Sequence, residues 1–231
     1  MDSKENIIDK LSQISTPIIY DAIEKFNLRS RCEGYTDCSI KAMSPQMGPV
    51  CGYACTGKIT GALPPCPTER VIPSKEVWRY VYNSSKPSIM IVQDLDEDPK
   101  RACAWGDYAA AIFYAMGCRG AITNGFVRDV EAVEKIGFKM FARSEIVGHG
   151  YIRYTEIDAP VRVGGLIIKP GQLLHADRHG VVIIPQDIDL VELLDKANLC
   201  LKNEGLVISY CNSSEFTLDG LFKIIEGSVT L

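Results

Sequence analysis

The run Gly106-Asp107-Tyr108-Ala109-Ala110-Ala111-Ile112-Phe113-Tyr114-Ala115-Met116-Gly117-Cys118-Arg119-Gly120-Ala121-Ile122-Thr123-Asn124-Gly125-Phe126-Val127-Arg128-Asp129 decides the fold of this chain. It reads as a helix from about Gly106 to Met116, a tight turn, a short buried strand Gly120 to Thr123, a second tight turn, and a helix from Arg128 to Ile136 closed by Gly137 as a C-cap. That alternation places the chain among the α/β folds.

The same run carries the chemistry. Arginine offers a planar fork that matches a carboxylate, and aspartate offers a hard oxygen to a divalent cation, so adjacent Arg128 and Asp129 suit an anionic, metal-dependent substrate. A helix opening at Gly106-Asp107-Tyr108-Ala109 presents backbone N–H groups at its positive end, and glycine lets an anion approach them, which makes a carboxylate cradle. Gly125 lies where the strand must reverse, and the reversal returns Arg128 and Asp129 toward the strand end at which α/β folds gather ligands. An ordinary surface pair at a helix start is the competing reading for Arg128 and Asp129, and Asp107 has the same alternative, because carboxylates favour first helical turns.

Upstream, Ser15-Thr16-Pro17 has the form of an N-cap with proline at the first helical position, opening a helix Ile18 to Phe26, with a shorter one from Ile7 to Ile14 before it. Cys38 to Met43 and Gly52 to Thr60 read as strands. Pro73-Ser74 opens a helix with Val77, Tyr80 and Val81 on one face, and Ser88 to Val92 is a buried strand. The acidic run Gln93 to Pro99 reads as a solvated loop in preference to a metal site. Downstream, Met140 to Arg143, Val161 to Ile168 and Gly180 to Pro185 are strands, Asp187 caps a helix through Lys202, and a short helix covers about Leu218 to Ile225. No linker divides the chain, so residues 1–205 are expected to form the body and 206–231 a helical extension of the same unit.

Composition narrows the class. The 231 residues are 46% hydrophobic, ordinary for a packed globular chain, and the net charge of -4 argues against nucleic-acid binding. No apolar run reaches the roughly 18 to 20 residues of a membrane span, and the polar start Met-Asp-Ser-Lys-Glu-Asn lacks the form of a secretory signal, so a cytoplasmic address is expected. The nine cysteines contain no Cys-x-x-Cys pair and are expected to be buried, reduced thiols, Cys51 and Cys55 sharing one strand face.

The sequence from Gly106-Asp107 through Gly117 and Gly120 to Gly125-Phe126-Val127-Arg128-Asp129 resembles the signature shared by class II 4-hydroxy-4-methyl-2-oxoglutarate aldolases and regulators of ribonuclease E activity, the RraA-like family. Ser15-Thr16 with Asp21-Ala22, Gly52-Tyr53-Ala54-Cys55-Thr56, Val163-Gly164-Gly165, Pro170-Gly171 and His175-Ala176-Asp177-Arg178-His179-Gly180 to Pro185 extend the likeness colinearly over about residues 10 to 205. The resemblance implies a single α/β domain with a central barrel-like sheet of the swivelling β/β/α type flanked by helices. It also implies a homotrimer or homohexamer with active sites between subunits, and a magnesium or manganese ion.

The activity implied is cleavage of a 4-hydroxy-2-oxo acid to pyruvate and a second oxo acid, with oxaloacetate decarboxylation as a companion. Arg128 would hold the pyruvyl carboxylate or keto group, Asp129 would ligate the metal, Asp107 would support the metal through water, and the backbone of Gly106, Asp107, Tyr108 and Ala109 would receive the carboxylate. Such chemistry stabilises an enolate and needs no Schiff-base lysine. The alternative within the same family is a protein-binding regulator of an RNA-processing enzyme. A methyltransferase reading finds no glycine-rich nucleotide loop. Gln172 after Pro170-Gly171, and Arg178-His179 after Asp177, depart from the family pattern. The only histidines, His149, His175 and His179, are expected to hold loops or strand edges in preference to a metal.

Overall fold

Parallel strands buried on both faces read as nearly continuous apolar runs, and Ser-Ile-Met-Ile-Val at residues 88–92 is such a run. The structure, a computed structural model, describes residues 4–98 and 101–229. Pro99, the last residue of the acidic run, and the first three residues of the polar start lie outside them. In chain order the elements are α1 (Lys4–Leu11), α2 (Thr16–Glu24), β1 (Lys41–Ala42), β2 (Val50–Thr60), α3 (Ser74–Asn83), β3 (Ser88–Asp94), β4 (Cys103–Trp105), α4 (Asp107–Ala115), β5 (Cys118–Thr123), β6 (Phe126–Val127), α5 (Val130–Ile136) and β7 (Lys139–Ala142). They continue with β8 (Ser144–Glu145), β9 (Arg153–Ile157), β10 (Val161–Val163), β11 (Leu166–Ile168), β12 (Leu173–Asp177), β13 (Gly180–Ile184), α6 (Leu190–Cys211) and α7 (Leu218–Val229).

An eight-stranded sheet runs β1-β7-β5-β3-β2-β12-β13, with β9 also paired to β2, and curls into a nearly closed barrel. Strands β2, β3, β5 and β7 are mutually parallel, while β1, β9 and β12 join antiparallel. Period-two alternation sorts the side chains. Ile89 and Ile91 of β3, Ile122 of β5 and Phe141 of β7 point into the barrel, where the β10–β11 hairpin plugs the interior with Val161, Val163 and Ile168. Their neighbours Met90, Val92, Ala121 and Met140 face outward against α3, α4 and α5, around Trp105, Phe113 and Phe138. A third cluster packs α1, α2 and the first half of α6 over Cys51, Leu173, Val182 and Ile184.

The sequence reading locates these elements and misses some of their ends. Ser15 is the N-cap of α2, yet its side chain makes no capping bond; the Thr16 N–H instead donates to Asp177 Oδ2 at 2.8 Å, from 161 residues away. The predicted strand Cys38 to Met43 shrinks to Lys41–Ala42, because Asp37 turns the chain there by accepting the Ser39 N–H at 2.9 Å. Asp189, not Asp187, caps α6, accepting from Val191 and Glu192, and the helix continues past Lys202 to Cys211 through the expected 205/206 boundary. Four cysteines expected inside, Cys32, Cys38, Cys66 and Cys211, are exposed, since they lie in turns or at the end of α6; the other five are buried. His175 holds its strand as expected: fully buried, it bonds Thr16 Oγ1 at 2.9 Å and the Leu11 carbonyl at 3.0 Å.

Candidate active site

Three parallel strands end together: Asp94 closes β3, Thr123 closes β5 and Ala142 closes β7. In this class of fold that edge is where ligands are bound, because loops and helix N-termini converge on it. Asn124 ties two of the strand ends together. Its side-chain oxygen accepts the Asp94 N–H at 2.7 Å, and its amide group donates to the Asp94 carbonyl at 3.0 Å. Gly125 follows because the turn presses on β3: a Cβ there would lie 2.9 Å from Asp94 Oδ2. The Gly125 N–H turns back onto Thr123 Oγ1 at 3.0 Å.

The chain then enters a second, three-stranded ribbon, β4-β6-β8, all parallel. It delivers Arg128 in a short loop and not in the helix that the sequence reading starts there; α5 begins at Val130. The Arg128 N–H is fixed to the Trp105 carbonyl at 2.9 Å, so its position is set by the residue immediately before Gly106. Asp129 is the N-cap of α5 in a left-handed conformation, φ 59° and ψ 35°, which Asp and Asn tolerate better than other non-glycine residues. Its side chain accepts no capping bond, so the carboxylate is directed away from the helix it opens.

Three predicted residues thereby meet. Asp129 Oδ2 lies 3.3 Å from Arg128 Nε, and both side chains are a little over a third exposed. A Cβ built on Gly106 would fall 2.5 Å from Asp129 Oδ2 and 3.3 Å from Arg128 Nε. Gly106 is therefore a cradle for the carboxylate, by close approach and not by a positive φ, since its backbone is extended. Arg128 also reaches the Val147 carbonyl with Nη1 at 3.5 Å. Cys103 lies underneath: burial pushes its thiol up, with Arg128 opposing and Asp129 adding to that shift, which places it within electrostatic reach of the pair.

Asp107 opens α4 next to this corner, exposed, with Oδ1 accepting the Tyr108 N–H at 2.7 Å. One of the backbone donors assigned to a bound carboxylate is thus occupied by the chain's own side chain, while Ala110 N–H already closes on the Gly106 carbonyl at 3.0 Å. Among the described residues no group of three or more His, Cys, Asp or Glu side chains is arranged to hold a metal. The donor set offered is small and hard, one carboxylate at Asp129, with Asp107 following the glycine that receives it. That fits magnesium or manganese, which keep several waters and bind through one or two carboxylates plus substrate oxygens.

The sequence reading places Asp94 and Asp96 in a solvated loop and gives Asn124 no role of its own; Asp94 is instead buried at the end of β3. Asp96 folds the loop after β2 by accepting the Gly61 and Ala62 N–H groups, each at 2.8 Å, so this part of the acidic run is structural and not merely solvated. The Asn-Gly pair at 124–125 was the available signal, a turn dipeptide whose side chain can bond backbone.

A mixed α/β domain with a nearly closed barrel and an Arg-Asp pair at the carboxyl edge of its parallel strands defines the class. The chain belongs to the RraA-like family, Aldolase/RraA, whose model matches residues 16–183. A Halalkalibacterium halodurans protein provisionally named a 4-hydroxy-4-methyl-2-oxoglutarate aldolase is 32% identical over 111 residues, 48% of this chain and 52% of that protein. Protein DlpA of Legionella pneumophila is 24% identical over 205 residues, 84% of this chain and 30% of its own length. The chain spans about half the length of the aldolase-named relative and less of DlpA. Among solved structures, a Pseudomonas syringae pv. tomato protein superposes with TM-score 0.73 at 20% identity over 96% of this chain and 95% of that one. RraAS2 of Streptomyces coelicolor, described as an unusual member of an RNase ES inhibitor family, gives 0.67 at 19% identity over 89% and 97%. Both establish the fold. No helix among the described residues is long and apolar enough to cross a membrane.

Proposed function

We propose that this chain is a divalent-metal-dependent lyase that cleaves a 4-hydroxy-2-oxo acid to pyruvate and a second oxo acid, and decarboxylates oxaloacetate through the same enolate. The observation that carries the reading is the close packing of Gly106, Arg128 and Asp129 at the carboxyl edge of the parallel strands, where only glycine leaves room for the carboxylate. Family membership and the aldolase name of a relative at 32% identity support it.

In this reading Asp129, with Asp107 through water, would hold magnesium or manganese. When bound, such an ion would supply Lewis-acid stabilisation of the negative charge that develops on the oxo acid. Arg128, its side chain a little over a third exposed and its Nε beside Asp129, binds the pyruvyl end through its guanidinium. The C3–C4 bond breaks, its electron pair passing to C3 while the C4 hydroxyl proton leaves to a base and C4 becomes a carbonyl. Arg128 donates to the oxygen on which charge accumulates, a contact stronger in the transition state than in the bound substrate. Protonation at C3 completes pyruvate. The partner set proposed is a small anionic oxo acid and further copies of the chain, as a trimer or hexamer with sites between subunits, in the cytoplasm.

Pyruvate release from 4-hydroxy-4-methyl-2-oxoglutarate and from oxaloacetate, with magnesium, manganese or chelator, tests the reading. Metal-dependent release from both is expected. Release from neither would transfer the proposal to a protein-binding regulator, for which stable co-purification with an RNA-processing enzyme is the corresponding result.

A further inference from the structure

Thr16 with Asp21, and the turn Asp177-Arg178-His179-Gly180, have no part in the Arg128–Asp129 site, yet they meet. Strand β12 runs antiparallel to β2 with Ala176 beside Val50, which opens β2, so the turn after β12 lies at the amino edge of the parallel strands, opposite the edge that carries Arg128. Helix α2 starts at the same place, tied to the turn by the Thr16 N–H bond to Asp177. Between helix and turn is a cavity of about 190 Å³. Tyr20 and Tyr35, in edge contact with ring centroids 5.3 Å apart, line it together with the buried Val181 and Val182.

Four polar side chains reach this cavity without a proton to offer it: His179, Thr16, Tyr20 and Asp21. The buried Asp177 accepts the His179 N–H at 2.8 Å through Oδ1 and the Thr16 N–H through Oδ2, and these bonds with the His179 ring outweigh burial and keep it ionised. The same Oδ1 lies 3.0 Å from His179 Nδ1, so Nδ1 carries the ring proton and Nε2, on a side chain 56% exposed, is left to accept. The Thr16 hydroxyl donates to His175 Nδ1 at 2.9 Å, and Tyr20 donates to the Arg31 carbonyl. Among the described residues no hydrogen bond or ion pair engages the Asp21 carboxylate. Burial, with the Glu204 and Glu24 carboxylates behind it, holds that carboxyl above the usual range against the opposing pull of Lys25, a state that a bound cation would relieve.

Size and chemistry together define an occupant. An apolar cavity of roughly 150 Å³ admits benzene, so this one admits a single ring. Tyr20 and Tyr35 offer such a ring an edge-to-face partner, and acceptors beside aromatic faces suit an ammonium. We propose that this cavity binds a small aromatic amine, one ring carrying a short alkylammonium chain, with the ring against Tyr20 and Tyr35 and the ammonium donating to Asp21 and to His179 Nε2. An oxo acid is repelled there by Asp21, so the site is independent of the lyase reading.

Isothermal titration of the full chain with phenethylamine, in mildly alkaline buffer where imidazole is neutral and the amine charged, tests the proposal. One site per chain is expected, with Kd of about 0.1–1 mM, the range open to so small a ligand. Phenethyl alcohol, which keeps the ring and loses the charge, is expected to bind about tenfold more weakly, and phenylacetate not measurably. Asp21→Asn, at a side chain that bonds nothing in the fold, is expected to weaken phenethylamine about tenfold and His179→Ala about threefold, both with unchanged thermal midpoint. Tyr35→Ala, which removes the ring contact, is expected to weaken amine and alcohol alike. No saturable binding up to about 10 mM overturns the site. Equal affinity for amine and alcohol, or an undiminished affinity in Asp21→Asn, overturns the recognition of an ammonium. The readout is binding, so it stands whether or not pyruvate release is observed.

Discussion

Gly106 and Asp129 are packed at the limit of contact: a methyl group on the glycine would fall 2.5 Å from Asp129 Oδ2. Strand β4 ends one residue before the glycine, and Arg128 N–H is bonded to that strand's last carbonyl, so the two backbones are held and the Asp129 side chain is what must give way. Gly106→Ala is therefore expected to displace the carboxylate while leaving the barrel intact. Turnover should fall by about 10² or more, the order seen when a preorganised polar contact to the developing charge is lost, with little change in thermal midpoint. Normal kcat in Gly106→Ala would mean that Asp129 acts from a position other than the one seen.

Asp129 combines two demands, a left-handed backbone and a charge. Asparagine meets the first and not the second, so Asp129→Asn keeps the turn into α5 and removes the anion. Metal-dependent pyruvate release is expected to fall at least about 10²-fold, with the folded state and oligomeric mass unchanged. Isothermal titration with manganese should show binding lost in step with activity. Retained binding with lost activity would move the metal to Asp107.

How much of this was legible beforehand follows from where the signals are local. Gly106, Arg128 and Asp129 are legible within one run, because the run sets them at the turns flanking a buried strand, and the apolar pattern of residues 88–92 and 120–123 marks the core strands. What escaped depends on contacts between distant segments. The cap of α2 comes from Asp177 and the support of Asp94 from Asn124, and no spacing rule reaches across 161 or 30 residues. The residues around Arg128 favour a helix, and the ribbon pairing of Val127 with Trp105 and Glu145 overrides that preference.

Asn124 offers a test of the strand-edge clamp. Its two bonds to the Asp94 backbone, at 2.7 and 3.0 Å, are part-buried, and each is worth about 1 kcal/mol net. Asn124→Ala is expected to lower stability by about 2 kcal/mol, or roughly 4–8 °C in thermal midpoint for a domain of this size. Because the clamp precedes the turn that delivers Arg128, KM for the oxo acid should rise as well. A variant with an unchanged melting temperature would remove Asn124 from the architecture of the edge.

His175 sets the acid limit of the fold. It is fully buried between α1 and α2, and since the Leu11 carbonyl can only accept, Nε2 carries the proton and Nδ1 accepts from the Thr16 hydroxyl. Burial lowers its pKa to about 4 and Lys139 pulls the same way, against the Leu11 bond and the nearby Asp177 carboxylate. The unfolded chain titrates this ring near 6.5, so between about pH 6.5 and 4 it binds a proton that the folded chain refuses. Stability attributable to the neutral ring is thus complete above about 6.5, falls with pH through that window, and sums to about 3 kcal/mol. Asp177 does not confuse the reading. Burial pushes its carboxyl up, but bonds from the His179 and Thr16 N–H groups and the His179 ring outweigh it, leaving its pKa lowered, so its own loss falls at more acid pH. Urea unfolding of the unsubstituted protein and of His175→Gln, followed from pH 7 to 4, is the measurement. The variant should start less stable yet lose about one proton's worth of slope; parallel curves would show that another buried group governs acid unfolding.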